Sequence, residues 1–207
     1  MFVEKLKEQI GVNTPILTEE IFSLFPKYSR AQIFRYINQA ISENELVKYC
    51  YGVYYIPRIM DFGQSSINAD LVISKKYLMN NDSSYGILSG IALLNAFSIT
   101  TQMAGVIEIV STKESSKKRV IKIADRSFVV RKSRFDINKN NIGTYTILQL
   151  FTDLDDNDTI SNLSKQIILN YCKEMNVTKA EIIKSSQKFP AKALRRLCIS
   201  GVLDDIA

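Results

Sequence analysis

The sequence predicts an α+β fold, and three observations support that prediction. Apolar residues recur with helical spacing through residues 2–43. Residues 46–57 and 105–132 are instead rich in β-branched and aromatic residues, which is typical of short strands. From Thr144 onward the helical spacing returns. Hydrophobic residues make up 46% of the 207 residues, which is enough for a packed core.

The chain is expected to divide into two small domains. Residues 58–68 mix Gly, Ser, Asn and Asp, so we place the linker there. The first domain then covers residues 1–60 and the second covers residues 69–207.

The first domain is predicted to contain three helices and a hairpin. The helices cover residues 2–10, 19–25 and 29–43, and Ser29-x-x-Gln32 fits a capping box at the start of the third. Residues 46–57 form the hairpin, with Gly52 at its middle. This order of elements is typical of a winged helix-turn-helix, in which the second helix of the pair enters the DNA major groove.

The third helix has one apolar face and one polar face. Ile33, Ile37 and Ala40 share the apolar face, while the opposite face carries Arg and amide side chains and no acidic residue before Glu43. Arg can pair with guanine, and Gln or Asn with adenine, so double-stranded DNA is the expected partner. The candidate DNA-binding residues are Ser29, Arg30, Gln32, Arg35, Asn38 and Gln39 on the helix, and Lys48 and Tyr51 on the hairpin.

The second domain is predicted to be an α/β domain with a small antiparallel sheet and several helices. Residues 69–80 look helical, and residues 86–97 look like a buried apolar helix. The three strands of the sheet and the four later helices are expected at residues 105–111, 119–124 and 127–132, and at 145–152, 160–175, 178–187 and 190–200.

Positive charge is concentrated in one middle segment. The formal net charge is +6, and residues 110–142 carry ten Lys/Arg against three Asp/Glu, whereas residues 1–60 carry seven against six. The segment is either a second nucleic-acid surface, a dock for an acidic partner or a solvated sheet face. Its basic residues are Lys117, Lys118, Arg119, Lys122, Arg126, Arg131, Lys132 and Arg134.

Composition argues against an enzyme or a metalloprotein. The chain has no histidine, the commonest general base and metal ligand. Its three cysteines, Cys50, Cys172 and Cys198, are too widely spaced for a zinc cluster or disulfide framework. We therefore expect no cofactor and no bound metal. The N-terminus lacks the apolar stretch of a signal peptide, and no apolar run approaches the roughly 20 residues of a membrane span, which predicts a cytoplasmic protein without membrane contact.

Several blocks of the sequence resemble the AbiEi-type family of antitoxins and transcriptional regulators. The residues concerned are Tyr85-Gly86-Ile87-Leu88-Ser89-Gly90-Ile91-Ala92-Leu93-Leu94-Asn95, Thr100-Thr101-Gln102, Val106-Ile107-Glu108-Ile109-Val110 with Arg131, Gly52-Val53-Tyr54-Tyr55-x-Pro57, Phe62-Gly63 and Phe189-Pro190-Ala191-Lys192. The resemblance implies a winged helix joined to an antitoxin domain. It further implies a repressor that binds inverted repeats in its own promoter. Such a protein counters a nucleotidyltransferase-like toxin in type IV toxin–antitoxin and abortive-infection systems, in many members without a stable complex.

Three classes of function compete at this point. The first is the DNA-binding autorepressor and antitoxin, or a stand-alone transcriptional regulator without a toxin. The second is a protein-interaction adaptor, since some winged helices bind proteins and the charge of residues 1–60 is nearly balanced. The third, a nucleic-acid enzyme, is disfavoured by the absence of histidine and of a paired-acid motif.

Overall fold

The computed structural model shows a mixed α+β fold that forms two compact units, Met1–Lys76 and Tyr77–Ala207. It describes residues 2–61, 63–81, 83–155 and 158–206. Phe62, which belongs to the family resemblance, lies outside the described residues. In the described part of the chain, no helix is both long enough and apolar enough to cross a bilayer.

The first unit contains the predicted three helices and hairpin, together with one short additional strand. The elements are α1 (Phe2–Gln9), β1 (Ile16–Leu17), α2 (Thr18–Leu24), α3 (Arg30–Ser42), β2 (Val47–Cys50) and β3 (Val53–Tyr55). The strands form an antiparallel sheet in the order β1-β3-β2. The extra strand β1 is only two residues long, too short to leave an alternation pattern in the sequence.

The core of the first unit joins the helices to the sheet. Leu6 from α1, Ile21 from α2 and Ile16 from β1 have no exposed surface. Ile33 and Ile37 of α3 are each 1% exposed, and Ala40 is also buried, so the predicted apolar face of α3 is confirmed. Burying such side chains is the main source of stability here, at roughly 25 cal/mol per Å² of apolar surface.

The segment expected to be a linker is instead structured, and the boundary between the units lies after Lys76. Residues 58–68 contain a hairpin of β4 (Ile59–Met60) and β5 (Gly63–Gln64), and the short helix α4 (Ala69–Ile73) follows them. Lys75, which follows α4, packs within the first unit, since its Nζ lies 2.8 Å from Glu20 Oε1 and donates to the carbonyl oxygen of Pro15 at 2.6 Å. The helix expected over 69–80 is present to Leu78, as α4 followed directly by a π-helical turn at Ser74–Leu78.

The second unit contains a hairpin and a four-stranded mixed sheet. The hairpin consists of β6 (Met79–Asn80) and β7 (Ser83–Ser84), and the sheet of β8 (Gly86–Ser89), β9 (Ile107–Ser111), β10 (Arg119–Ile123) and β11 (Arg126–Lys132). The order in the sheet is β10-β11-β9-β8. The three expected strands are confirmed, but β11 runs parallel to β9 instead of continuing an antiparallel meander.

The buried helix expected over residues 86–97 is wrong in its first half. Residues 86–89 are strand β8, paired antiparallel with β9, and only the remainder is helix α5 (Ile91–Ala96). A backbone reversal at Gly90, with φ 62°, separates the two elements. A short apolar run fits a buried strand as well as a buried helix, so spacing alone could not separate them.

The four later helices are confirmed. They are α6 (Ile142–Asp153), α7 (Asn162–Glu174), α8 (Lys179–Ser186) and α9 (Ala191–Ile199), followed by a 3₁₀ turn (Leu203–Asp205). Helix α6 is buried from Gly143 to Thr152, and Tyr145, Ile147 and Phe151 have no exposed surface. It is therefore the central element of the second core.

Candidate nucleic-acid interface

The start of α3 is held by two reciprocal hydrogen bonds. The Gln32 N–H donates to Ser29 Oγ at 3.3 Å, and the Ser29 N–H donates to Gln32 Oε1 at 2.9 Å. The predicted capping box is thereby confirmed, and a cap of this kind stabilises a helix by about 1 kcal/mol. These two side chains are thus engaged with the backbone of α3, and they are less available to a ligand than exposed side chains further along the helix.

The outward face of α3 carries both engaged and unengaged side chains. Arg35 and Asn38 are exposed, and among the described residues neither has a hydrogen bond or an ion pair. Gln39 donates through Nε2 to Glu43 Oε1 at 2.9 Å. The Arg30 guanidinium lies 5.3 Å from the centre of the Phe22 ring on α2. Arg35 and Asn38 are therefore the two helix residues most available to a ligand.

The hairpin presents an exposed tip that is anchored to α2. The tip residue Tyr51 is 90% exposed, and Lys48 on β2 is also exposed. Both the backbone N–H and the hydroxyl of Thr18 donate to the carbonyl oxygen of Gly52, at 3.0 and 3.1 Å. These bonds fix the turn relative to the start of α2, so the position of Tyr51 is set by the fold.

Sequence reasoning missed three residues at this end of the unit. Lys27 and Tyr28 lie in the turn that leads into the cap of α3, and both are exposed. Phe34 on α3 is 42% exposed and stacks edge-on against Phe22, with 5.8 Å between ring centres. A signal was available for the first two, because Lys and Tyr side chains beside a helix N-terminus are groups that can contact phosphates.

The eight basic residues of the middle segment do not share one face of the sheet. Arg119 pairs with Val130 across β10 and β11, whereas Arg131 is the next residue along β11 and therefore points to the opposite face. Lys122 shares its face with Val120, which is 66% exposed. Lys117 and Lys118 lie in the connection before β10, and Lys132 and Arg134 lie at and beyond the end of β11.

Arg119 and Arg131 are ion-paired within the second unit. Arg119 lies 2.7 Å from the buried Glu114 and also donates to the hydroxyl of Tyr77 at 3.0 Å. Burial acts to raise the pKa of Glu114, but the Ser116 N–H and Arg119 outweigh it, so the pKa is lowered. Arg131 donates to Glu108 at 2.9 Å. These contacts support the sheet, so neither arginine is freely available to a polyanion.

The other basic residues are exposed, but two of them are placed against aromatic rings. The guanidinium of Arg126 lies 5.8 Å from the centre of Phe128, and that of Arg134 lies 5.2 Å from the centre of Phe189. The exposed lysines are Lys117, Lys118, Lys122 and Lys132. The charges of this segment are therefore dispersed. Among the three interpretations, a partly solvated sheet face fits this geometry best.

A half-buried carboxylate holds the Ser89–Gly90 turn of the second unit. Asp153 accepts hydrogen bonds from Ser89 Oγ at 3.0 Å, from the Gly90 N–H at 2.7 Å and from Gln149 Nε2 at 2.8 Å. Burial raises the pKa of Asp153, and these hydrogen bonds oppose the shift only in part. Its role is to fix the junction between β8 and α5, the same Ser-Gly pair that carries much of the family resemblance.

The thiols and carboxylates of the described residues do not assemble into a metal site. No group of three or more possible ligands is found among these residues. The three cysteines are all free: Cys172 is buried, Cys50 is half-buried and Cys198 is exposed. Burial raises the pKa of Cys172 to about 11, which keeps it a thiol at neutral pH.

Comparison with known proteins leaves the residues themselves as the guide to function. No protein-family model matches the sequence. A search of the curated proteins likewise finds no match.

Proposed function

We propose that the first unit is a winged helix-turn-helix that binds double-stranded DNA sequence-specifically, with α3 in the major groove and the β2–β3 hairpin as the wing. The order α1, β1, α2, α3, β2, β3 supports this assignment, as does the three-stranded antiparallel sheet β1-β3-β2. In such modules the second helix of the pair contacts the base edges, which assigns reading to α3.

The observation that carries the proposal is the free, acid-free face of α3. Arg35 and Asn38 are exposed without partners in the described structure, so they can be desolvated onto DNA without breaking an existing bond. Arg35 would pair with guanine and Asn38 with adenine. Gln39 would first exchange its bond to Glu43, which costs part of what its base contact gains.

The remaining exposed residues suit phosphate contacts. Lys27, Tyr28 and Arg30 surround the N-terminus of α3, where the free N–H groups and the helix dipole favour an anion. Lys48 and Tyr51 would contact the backbone or minor groove from the wing. Ser29 and Gln32 would act by fixing α3, because their side chains already form its cap.

The biological role follows from the family resemblance. We propose that the protein represses its own promoter at inverted repeats and acts in the cytoplasm as a type IV antitoxin against a nucleotidyltransferase-like toxin. The Tyr85–Asn95 and Thr100–Gln102 blocks favour this over a stand-alone regulator. The dispersed charge of residues 117–134 and the ion pairs of Arg119 and Arg131 weigh against a second DNA surface there.

The test is a fluorescence-anisotropy titration with the DNA upstream of the protein's own gene, at fixed salt, with unrelated DNA as competitor. Arg35→Ala should weaken binding to the promoter by about 1–3 kcal/mol, or roughly 5- to 150-fold, and barely change binding to unrelated DNA. Lys48→Ala should weaken both and reduce the salt slope by about 1. Arg195→Ala, an exposed arginine on α9, is the matched control.

Each class of function predicts a different result. Promoter binding that resists competitor and is lost with Arg35→Ala supports the DNA reader. Binding that Arg35→Ala and Arg195→Ala affect equally would remove α3 from the reading role. Absence of DNA binding would favour the protein-interaction adaptor. The antitoxin role is tested separately, by co-expression with the nucleotidyltransferase-like neighbour and measurement of growth.

A further inference from the structure

A pocket of about 580 Å³ lies between α1, α3 and the turn that leads into α3. Four of its lining residues are aromatic, namely Phe2, Phe25, Tyr28 and Tyr36. Two are basic, Lys5 and Lys27, and no acidic residue is among the described residues that line it. The volume lies in the range of small-molecule sites, which are mostly apolar with a few convergent polar groups.

The four rings contact one another in a closed cycle. Phe2 lies 4.7 Å from Phe25 and 5.5 Å from Tyr36, measured between ring centres. Tyr28 lies 6.0 Å from Phe25 and 5.5 Å from Tyr36. The interplanar angles range from 31° to 75°, so the rings offer both edges and faces to a planar guest. Tyr28 remains 43% exposed, although it is part of this cycle.

The two lysines make the charge of the pocket positive. Lys5 Nζ donates to the carbonyl oxygen of Leu24 at 2.9 Å and lies 4.9 Å from the centre of Phe25. An ammonium has three donors, so these contacts leave capacity for a further acceptor. Lys27 is exposed, and within the described residues it has no hydrogen bond or ion pair.

We propose that this pocket is an effector site for a small planar aromatic carboxylate. The rings would stack on the aromatic part, and the ammonium groups of Lys5 and Lys27 would pair with the carboxylate. A cationic ligand is disfavoured, because Lys5 already occupies the cation position over Phe25. A purely aliphatic acid would lose the ring contacts that distinguish this site from an ordinary apolar groove.

The site shares residues with the segment that presents α3. Tyr36 lies on α3 itself, and Tyr28 directly precedes the Ser29 cap. A ligand bound between Tyr28 and Tyr36 would contact the turn that leads into α3. If the proposed DNA-reading function holds, ligand and DNA would then alter each other's affinity by the same factor. The existence of the site does not depend on that function, so the two are tested separately.

The first experiment is isothermal titration calorimetry of the full chain without DNA, using α-naphthoate as the probe. We expect saturable binding of one equivalent, with affinity about tenfold lower for the uncharged naphthamide and clearly lower for adamantane carboxylate. Lys27→Gln should weaken α-naphthoate binding about two- to fivefold, the usual strength of an exposed ion pair. Tyr28→Leu, at a half-exposed position, should weaken α-naphthoate binding more than Lys27→Gln, because it removes one ring of the cycle.

Lys7→Gln is the control, because Lys7 is an exposed lysine on α1, the helix that carries Lys5, but does not line this pocket. Equal weakening by Lys7→Gln and Lys27→Gln would show nonspecific charge attraction and overturn the proposal. Equal affinity for α-naphthoate and adamantane carboxylate would also overturn it, as would the absence of saturable binding. A repeat of the promoter titration with ligand present then tests the coupling alone.

Discussion

Replacement of Gly86 by Ala should strongly destabilise the second unit, because the backbone around this residue leaves no room for a methyl group. Gly86 begins β8, and a Cβ built on it would lie 1.9 Å from the carbonyl oxygen of Tyr77 and 2.9 Å from that of Val110. Both obstacles are backbone atoms, so no side-chain rotation can relieve the contact. Gly105 is the matched control, because a Cβ there meets nothing within 4 Å.

The size of the effect follows from the movement required. Cβ contacts under 3.0 Å essentially do not occur, so the Tyr77 carbonyl would have to retreat by about 1 Å. The surrounding backbone is fixed, since the Tyr85 N–H donates to Leu78 O at 2.8 Å and Ser111 Oγ donates to Tyr85 O at 3.0 Å. Overpacking that displaces backbone costs about 1–3 kcal/mol and more in rigid sites, so we expect about 3–5 kcal/mol.

Urea unfolding, followed by circular dichroism and by a spectroscopic probe in each unit, measures the difference in unfolding free energy between the variants. Gly105→Ala should stay within about 0.5 kcal/mol of the wild type. A Gly86→Ala protein within about 1 kcal/mol of the wild type would refute the reasoning, because it would mean that β8 can shift without loss of its ladder to β9.

Two further predictions concern titratable groups of the second unit. Burial raises the pKa of Asp153, so the protonation of this group contributes fully to the free energy of unfolding below the ordinary aspartate pKa of 3.8, and this contribution is lost as pH rises through the raised pKa. Asp153→Asn should remove that pH-dependent loss of stability. Parallel curves of unfolding free energy against pH for the two proteins would contradict this prediction. Cys172 is buried, and its burial raises the pKa of the thiol to about 11. A disulfide reagent at neutral pH should therefore modify the exposed Cys198 in the folded protein and Cys172 only after unfolding. Equal rates of modification of the two thiols in the folded protein would show that the core around α6 and α7 opens readily.

The three helices that begin the first unit and the four later helices of the second could be predicted because their signals are local. The Ser29 cap, the apolar spacing of α3 and the helical pattern after Thr144 all lie within a few residues of the structure that they specify. The exposed face of α3 followed directly from that spacing. By contrast, the use of Ser29 and Gln32 in the cap shows that a polar residue on the correct face of a helix can already be engaged.

The parts that could not be predicted depend on pairing across the chain. The alternation of apolar and polar residues in β9 and β11 is compatible with either parallel or antiparallel pairing, so their parallel alignment could not be predicted. The strand at residues 86–89 was hidden in a continuous apolar run, and the close approach of Gly86 to Tyr77 has no local signature. The hairpin within residues 58–68 was missed because polar loop residues also form short hairpins.

The distribution of charge along α3 gives the proposed DNA complex a direction. Lys27, Arg30 and Arg35 lie at or near its N-terminal half, whereas Glu43 and Glu45 follow its C-terminal end. The carboxylates would repel phosphates if the C-terminal end entered the groove, so in the proposed complex the N-terminal half would be the end that approaches DNA. The near balance of charge in residues 1–60 would keep nonspecific affinity low. Discrimination would then rest on a few base contacts, which is why Arg35 is the decisive residue to change.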